Sequence, residues 1–143
     1  MEILSKNTEE NKRIAELILQ NLQKKEVKLL FLKGKLGSGK TTITREIGQV
    51  LNTKNNISSP TFVIQKIYHC NKNKYNISKI YHIDLYRLTK KQDIEELDLF
   101  EDLQNKKNLF IVEWPELIEK EFKNPCRVKI ETNGQNQRVF SIS

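Results

Sequence analysis

The spacing of apolar residues alternates between helical and strand-like along the first third of the chain. A first helix is predicted from an Asn7 cap to about Gln23. The apolar residues that recur there at helical spacing are Ile14, Leu17, Ile18 and Leu22. Residues 27–33 (VKLLFLK) are nearly all apolar, which is typical of a buried strand. A second helix is predicted at 41–52, and its apolar face comprises Ile43, Ile47, Val50 and Leu51.

The rest of the chain adds strand patterns and one more helix. Residues 61–70 and 77–86 are rich in branched and aromatic side chains, and the polar residues between them predict a hairpin. A helix is predicted at 90–103, with Ile94, Leu97 and Leu103 facing inward. Residues 109–113 (LFIVE) give a second fully apolar strand pattern, and 127–143 predicts two strands around an Asn-Gly turn.

Together these elements predict a single α/β domain over residues 1–143. Their order favours a central, mostly parallel sheet with antiparallel edge strands and flanking helices. No repeat or linker interrupts the pattern, and a chain of 143 residues can bury enough surface for one core.

The charge and the cysteine content of the chain indicate which binding partners and which cellular compartment to expect. Lysine and arginine exceed aspartate and glutamate by 25 to 18, a formal charge of +7. This excess fits an anionic ligand or an RNA-containing partner, although a solvated lysine-rich surface explains it more simply. Cys70 and Cys126 lack metal-binding spacing and fit reduced thiols. With no signal-peptide pattern and no membrane-length apolar run, we expect a cytoplasmic protein without membrane or DNA partners.

The clearest chemical signal is the stretch GKLGSGKTT at 34–42. It matches the pattern G-x-x-x-x-G-K-[ST] from Gly34 to Thr41, with an apolar strand before it and an amphipathic helix after it. Such glycines let N–H groups turn toward phosphate oxygens, and the helix N-terminus adds partial positive charge. The sequence therefore predicts a P-loop NTPase domain. The predicted nucleotide-binding residues are Gly34, Leu36, Gly37, Ser38, Gly39, Lys40, Thr41 and Thr42.

Two acids compete for the metal that such a site requires. Lys40 is expected to reach the terminal phosphates, and the Thr41 hydroxyl to take one Mg²⁺ position. Glu113 ends an uninterrupted apolar strand, whereas His82 interrupts the strand that ends at Asp84. A strand covered on both faces is expected to be apolar throughout. Glu113 is therefore assigned to the metal, directly or through water.

Asp84 and Thr61 are secondary candidates. Asp84 can position water near the γ-phosphate, or it can simply pair with Arg87 at a strand end. Thr61, in the loop SSPTF at 58–62, can sense γ-phosphate and metal as a switch threonine does. From the loop alone, an ordinary cap is the favoured interpretation of Thr61.

Two enzyme classes lack support in the sequence. The DxxG turn and the NKxD motif of GTPases are missing. A small-molecule kinase usually closes an arginine-bearing lid, but the five arginines here form no lid-like pair. A kinase that uses lysines instead remains a weaker alternative.

Several motifs in a characteristic order identify a family. After GKLGSGKTT come SPTF, HIDLYRL (82–88), EELDLFEDL and VEWPE (112–116). In this combination the chain resembles the TsaE family, the small bacterial ATPases of tRNA threonylcarbamoyladenosine biosynthesis. The resemblance spans most of the chain. Here Lys35 stands where the family often has an acid, and Ser38 where it often has alanine.

The resemblance implies an α/β P-loop fold with ATP and Mg²⁺ as cofactors. It implies as partner the two-protein threonylcarbamoyl-transfer complex, with tRNA contacted only indirectly, and hydrolysis that resets the complex between turnovers. It implies roles near the nucleotide for Lys40, Thr41, Asp84 and Glu113, and it raises Thr61 above a mere loop cap. Contacts to the nucleotide from Asn7, Thr8 and Arg138 are also carried over. A nucleotide-dependent binding module without hydrolysis, and an independent kinase, are the alternatives.

Overall fold

The computed structural model describes residues 1–58, 63–134 and 136–143. The elements in chain order are β1 (Glu2–Ser5), α1 (Thr8–Gln23), β2 (Leu29–Lys33), α2 (Lys40–Val50), β3 (Gln65–His69), β4 (Lys79–Asp84), α3 (Lys91–Glu96), β5 (Asn108–Glu113), a 3₁₀ turn (Glu119–Glu121), β6 (Cys126–Thr132) and β7 (Arg138–Ile142). They form a single α/β domain, as the sequence predicts. Among the described helices, none is long and apolar enough to cross a bilayer.

One seven-stranded sheet runs in the order β1-β7-β6-β2-β5-β4-β3. Its four middle strands are parallel neighbours: β6 pairs with β2, β2 with β5, and β5 with β4. The other three pairings, β1 with β7, β6 with β7 and β3 with β4, are antiparallel. The expected parallel centre with antiparallel edge strands is therefore present, and because three of the six pairings among the described residues are antiparallel, the sheet as a whole is mixed.

Both faces of the sheet are covered by apolar clusters. Because successive strand residues point to opposite faces, β2 sends Leu30 and Leu32 to one cluster and Leu29 and Phe31 to the other. The inner faces of α1 and α2 pack on the first cluster. The α3 segment and the chain after β5 cover the second. This two-sided burial is what makes β2 and β5 continuously apolar.

The N-terminus of α1 forms as predicted. Asn7 is the N-cap, and its side chain accepts a hydrogen bond of 3.0 Å from the Glu10 backbone N–H. The Glu10 carboxylate in turn accepts one from the Lys6 N–H, so two backbone donors are satisfied at this end. β1, just before α1, was missed because its four residues carry too little apolar pattern to predict a strand.

The third helix is shorter than predicted. α3 ends at Glu96, and Asp98 has φ of 49°, a left-handed conformation that terminates the helix. Leu97, predicted to face inward, is 45% exposed, while Leu99 is buried in its place. Ile94 and Leu103 are buried as expected.

The carboxyl ends of the four parallel strands meet at one edge of the sheet. Lys33, Asp84, Glu113 and Thr132 end β2, β4, β5 and β6 there. Ser5 of β1 pairs with Arg138 of β7, so α1 starts at this edge too. In open α/β sheets this edge is where ligands bind.

Candidate active site at the carboxyl edge of the sheet

A cavity of about 300 Å³ opens at this edge. It brings together most of the residues predicted from sequence, and it adds two aromatic side chains. The lining residues are Leu36, Gly37, Ser38, Gly39, Lys40, Thr41, Thr42, Asp84, Tyr86, Glu113, Trp114 and Arg138.

Glycines shape the loop that forms one wall of the cavity. Gly37 and Gly39 have φ of 78° and 106°, a region that side-chain-bearing residues rarely adopt. Gly39 is also the N-cap of α2, and no side chain of the described residues caps this helix. The first N–H groups of α2 are therefore free for another acceptor, unlike those of the capped α1. The start of α2 is a ready anion site.

Gly34 has a supporting position and does not line this cavity. A Cβ atom at Gly34 would collide with the Ser38 hydroxyl and lie 2.9 Å from the Ile130 carbonyl oxygen. Gly34 instead lines a second cavity of about 570 Å³, which is bounded by the same loop and by residues 129–132 of β6. Its role in this structure is to let the loop pack closely against β6.

Lys40 is buried and turned back onto the loop. Its Nζ donates to the carbonyl oxygen of Gly34 and, at 3.3 Å, to that of Lys35. The same ammonium lies 4.2 Å from the centre of the Trp114 ring, a cation–π contact. Burial lowers the pKa of Lys40, and the nearby Glu113 and other carboxylates oppose this shift.

Arg138 holds the loop from the opposite side. Its Nε donates to the Ser38 carbonyl oxygen at 2.6 Å, and a terminal nitrogen lies 3.5 Å from the Gly37 carbonyl oxygen. A Cβ atom at Gly39 would lie 2.8 Å from the Arg138 Nε. The predicted arginine therefore contacts the loop through its carbonyl groups, and glycine at 39 is needed for this approach.

The two acids lie side by side. Asp84 and Glu113 are register partners on adjacent strands, and β5 also adjoins β2. Asp84 accepts a hydrogen bond of 2.9 Å from the Tyr86 N–H. Burial raises the pKa of Asp84, and the neighbouring Glu113 charge adds to the rise, against the Tyr86 N–H, His82 and Lys40. Glu113 is buried and lies 2.6 Å from the His82 ring.

The donor set fits a magnesium ion held partly by a ligand. The Thr41 hydroxyl and the two carboxylates are oxygen donors, which Mg²⁺ prefers. No group of three His, Cys, Asp or Glu side chains in the described ranges could hold a metal unaided. Phosphate oxygens and water would have to complete the coordination, as is usual for Mg²⁺ at phosphate sites.

Sequence reasoning missed the aromatic wall and misjudged His82. Trp114 follows Glu113 with φ of 58°, and this left-handed turn puts its ring 4.9 Å from that of Tyr86. His82 interrupts the apolar pattern of β4, yet it is fully buried because Glu113 is its partner. The sequence does carry a signal for the aromatic wall, since an aromatic residue follows each strand-end acid by one or two positions.

Besides Gly34, the predicted residues Asn7 and Thr8 do not line the cavity. Asn7 and Thr8 sit at the same edge of the sheet, but the Asn7 side chain is engaged in capping α1. Thr61 lies outside the described residues. A further cavity of about 760 Å³, between α1, α2 and residues 72–74, is lined by none of the predicted site residues.

Comparisons with known proteins point in one direction. The model of one family, described as threonylcarbamoyl adenosine biosynthesis protein TsaE, matches residues 5–140. The chain is similar to the tRNA threonylcarbamoyladenosine biosynthesis protein TsaE of Rickettsia felis, with 38% identity over 98% of this chain and 78% of that protein. The protein of the same name from Bacillus subtilis is 33% identical, over 96% of this chain and 81% of that one. A crystal structure of Bacillus subtilis YdiB matches with a TM-score of 0.69 and 28% identity, over 99% of this chain and 83% of that chain.

Proposed function

The chain belongs to the TsaE family of threonylcarbamoyl adenosine biosynthesis proteins, and on that premise we propose that it is a Mg²⁺-dependent ATPase of tRNA threonylcarbamoyladenosine modification. Its P-loop binds and slowly hydrolyses ATP in the cytoplasm. Hydrolysis resets or activates a two-protein threonylcarbamoyl-transfer complex, and this protein contacts tRNA only through that complex. The names of the relatives support a role in tRNA modification, and the geometry of the cavity supports ATP binding and hydrolysis.

One observation carries the chemical part of the proposal. The uncapped start of α2, the Lys40 ammonium and two strand-end carboxylates converge on a single cavity of about 300 Å³. Free N–H groups and a cation suit the phosphates, while the oxygen donors that line the same cavity suit the metal. A phosphate-binding module without catalysis would not require Asp84 beside Glu113.

The residues divide the work as follows. The loop N–H groups and the first turn of α2 cradle the phosphates, and Lys40 exchanges the Gly34 and Lys35 carbonyl oxygens for phosphate oxygens. Thr41 and Glu113 would hold Mg²⁺, and the bound ion would neutralise charge on the phosphates. Asp84 orients the attacking water, since its raised pKa makes its carboxyl a better proton acceptor than an ordinary aspartate.

Slow turnover in isolation follows from where the arginines lie. Of the described arginines, Arg138 alone lines the cavity, and its guanidinium donates to loop carbonyl groups. Charge that develops on the transferred phosphoryl group then lacks an arginine, and such a residue supplied in trans typically raises turnover by about 10³-fold or more. We propose that the partner complex completes the site.

Phosphate release with and without the partner complex tests the proposal. Purified protein alone is expected to hydrolyse ATP slowly, and addition of the two-protein complex is expected to change the rate. Lys40→Ala protein with the same complex controls for contaminating ATPases. Fast release without partners, or phosphate transfer to an added metabolite, would contradict the proposal.

A further inference from the structure

His82 is a fully buried polar side chain beside the candidate metal ligand. Its ring lies inside the sheet on β4, on the same face as Ile80, which belongs to the apolar cluster under α1 and α2. It does not line the cavity. Its one described partner is Glu113, with Nε2 to Oε2 at 2.6 Å. The hydrogen bond of His82 to the site therefore runs through the Glu113 carboxylate.

The surroundings of the other ring nitrogen, Nδ1, indicate which nitrogen of His82 carries the proton. Nδ1 is buried and has no hydrogen-bond partner among the described residues. If Nδ1 carried the proton, a buried N–H donor would be left unpaired, which proteins seldom tolerate. An unpaired acceptor lone pair is less costly. The geometry assigns the proton to Nε2, so that His82 donates and Glu113 accepts as a carboxylate.

Strand register explains why His82 contacts one particular oxygen of the Glu113 carboxylate. Asp84 lies directly opposite Glu113, and His82, two residues earlier on β4, approaches Glu113 diagonally on the same face of the sheet. The N–H of His82 therefore engages Oε2 from inside the sheet. Oε1 is left for the cavity, where the Thr41 and Asp84 oxygens lie.

We propose that His82 is a positioning residue that fixes the orientation of the Glu113 carboxylate, so that Oε1 meets the metal in a predefined geometry. The proposal rests on the proposed function for the identity of the metal. Donors that orient a metal ligand typically contribute about 10- to 100-fold to metal affinity. Loss of this donor should therefore weaken metal binding without a comparable effect on nucleotide binding.

Two variants at position 82 distinguish the hydrogen-bond donor of the side chain from its volume. His82→Leu fills the apolar surroundings but removes the donor. His82→Gln carries an amide nitrogen four bonds from Cα, the same reach as the histidine Nε2. The only other histidine, exposed His69 at the end of β3, provides the matched control His69→Leu.

The affinity test uses manganese as the metal probe, with ADP present, and paramagnetic resonance as the readout. We expect His82→Leu to weaken Mn²⁺ binding about 10- to 100-fold, His82→Gln to recover most of that loss, and His69→Leu to match the wild type. ADP affinity measured without metal should stay within about threefold, a change worth less than 1 kcal/mol. Wild-type Mn²⁺ affinity in His82→Leu, or equal weakening in Leu and Gln, would overturn the proposal.

A second measurement needs neither metal nor nucleotide. In long-range ¹H–¹⁵N spectra of metal-free wild-type protein, His82 should show a protonated Nε2 and an unprotonated Nδ1, with His69→Leu assigning the signals. An unprotonated Nε2, with the proton on Nδ1 instead, would overturn the inference even if His82→Leu failed to fold. If the tautomer is as expected but the wild type binds no Mn²⁺ with nucleotide, the proposed function fails while the His82–Glu113 hydrogen bond stands.

Discussion

Lys40 illustrates at the scale of one residue how the site is arranged before a ligand binds. Its ammonium already has carbonyl oxygens of the loop and the face of Trp114 as partners, so it is held near its expected working position. Those carbonyl contacts also keep a buried cation solvated by dipoles. Ligand binding then requires an exchange of partners rather than the ordering of a free side chain.

Lys40→Ala is expected to weaken MgATP binding by about 3 kcal/mol, roughly a hundredfold, because a buried charge partner of the phosphates is lost. Isothermal titration measures this loss, and circular dichroism checks the fold. Lys35→Ala is the matched control, since Lys35 lies in the same loop but is exposed. Equal affinity in the wild type and Lys40→Ala would sink the assignment of this lysine.

The two acids should separate metal binding from turnover. Glu113→Gln removes charge beside Thr41 and is expected to abolish the bound Mn²⁺ signal with ATP present. Asp84→Asn should keep that signal and lower turnover by about 100-fold, as loss of a proton-accepting group does. Paramagnetic resonance and phosphate release on both variants are the measurements. The reverse outcome would show that the two carboxylates have exchanged roles.

Asp84 also predicts a pH-dependent stability difference. Burial raises its pKa in the folded chain, so its contribution to stability is full below the unfolded pKa and is lost as pH rises through the folded value. Asparagine cannot ionise. Asp84→Asn is therefore expected to have the higher Tm at neutral pH, with the difference disappearing below the usual aspartate range of about pH 4. Thermal unfolding across this range is the check, and a lower Tm for Asp84→Asn at neutral pH would contradict it.

At the scale of single elements, α1 and α2 begin in opposite ways at the same edge of the sheet. α1 is closed by the Asn7 side chain, whereas α2 begins at a glycine and leaves its first N–H groups available. The helix with a structural role is capped, and the helix that faces the cavity is not. This contrast gives the α2 terminus its capacity for an anion.

Removal of the α1 cap tests what Asn7 does. Asn7→Ala is expected to lower the free energy of unfolding by about 1 kcal/mol, while Asn7→Asp, which keeps a capping oxygen, should lose little. Chemical denaturation measures both. ATP affinity in the same variants, compared at a temperature where both are folded, tests the additional contact implied by the family resemblance. An Asn7→Ala protein as stable as the wild type would show that the cap contributes nothing.

Elements with long, regular apolar patterns could be predicted from the sequence, and short or interrupted ones could not. α1 follows its pattern because one of its faces is buried, and β2 and β5 follow theirs because their burial is continuous. α3 does not, because a left-handed Asp98 ends the helix while apolar residues continue at helical spacing. A one-dimensional pattern carries no information about that backbone conformation.

The site was predictable in its parts and not in its contacts. The glycine pattern located the loop, and the ends of apolar strands located both acids. The partner of His82 depends on which strands are neighbours and in what register. From the sequence alone, His82 is therefore only a polar interruption of an apolar strand. The turn at Trp114 depends likewise on a left-handed φ that no spacing rule predicts.

At the scale of the whole molecule, ligand binding should raise the stability of the folded protein. A ligand that binds the folded state alone adds about 2.7 kcal/mol when its free concentration is about 100 times Kd. MgATP is therefore expected to raise the Tm of the wild type in scanning calorimetry. Lys40→Ala should show little of this rise, and Glu113→Gln should lose the part that depends on magnesium. An unchanged wild-type Tm at saturating MgATP would contradict nucleotide binding at this site.

β7 links the site to the order in which the chain is synthesised. It pairs with β6 on one side and with β1 on the other, and its first residue carries the guanidinium that holds the glycine-rich loop. A ribosome releases residues in order, so β1 emerges early and must wait unpaired until residues 138–142 follow. A nascent chain can assemble β2, β5 and β4 before then, but its loop still lacks the Arg138 contacts. During synthesis, pairing of β1 with β7 and the Arg138 contacts to the loop therefore become possible together, once residues 138–142 have been added.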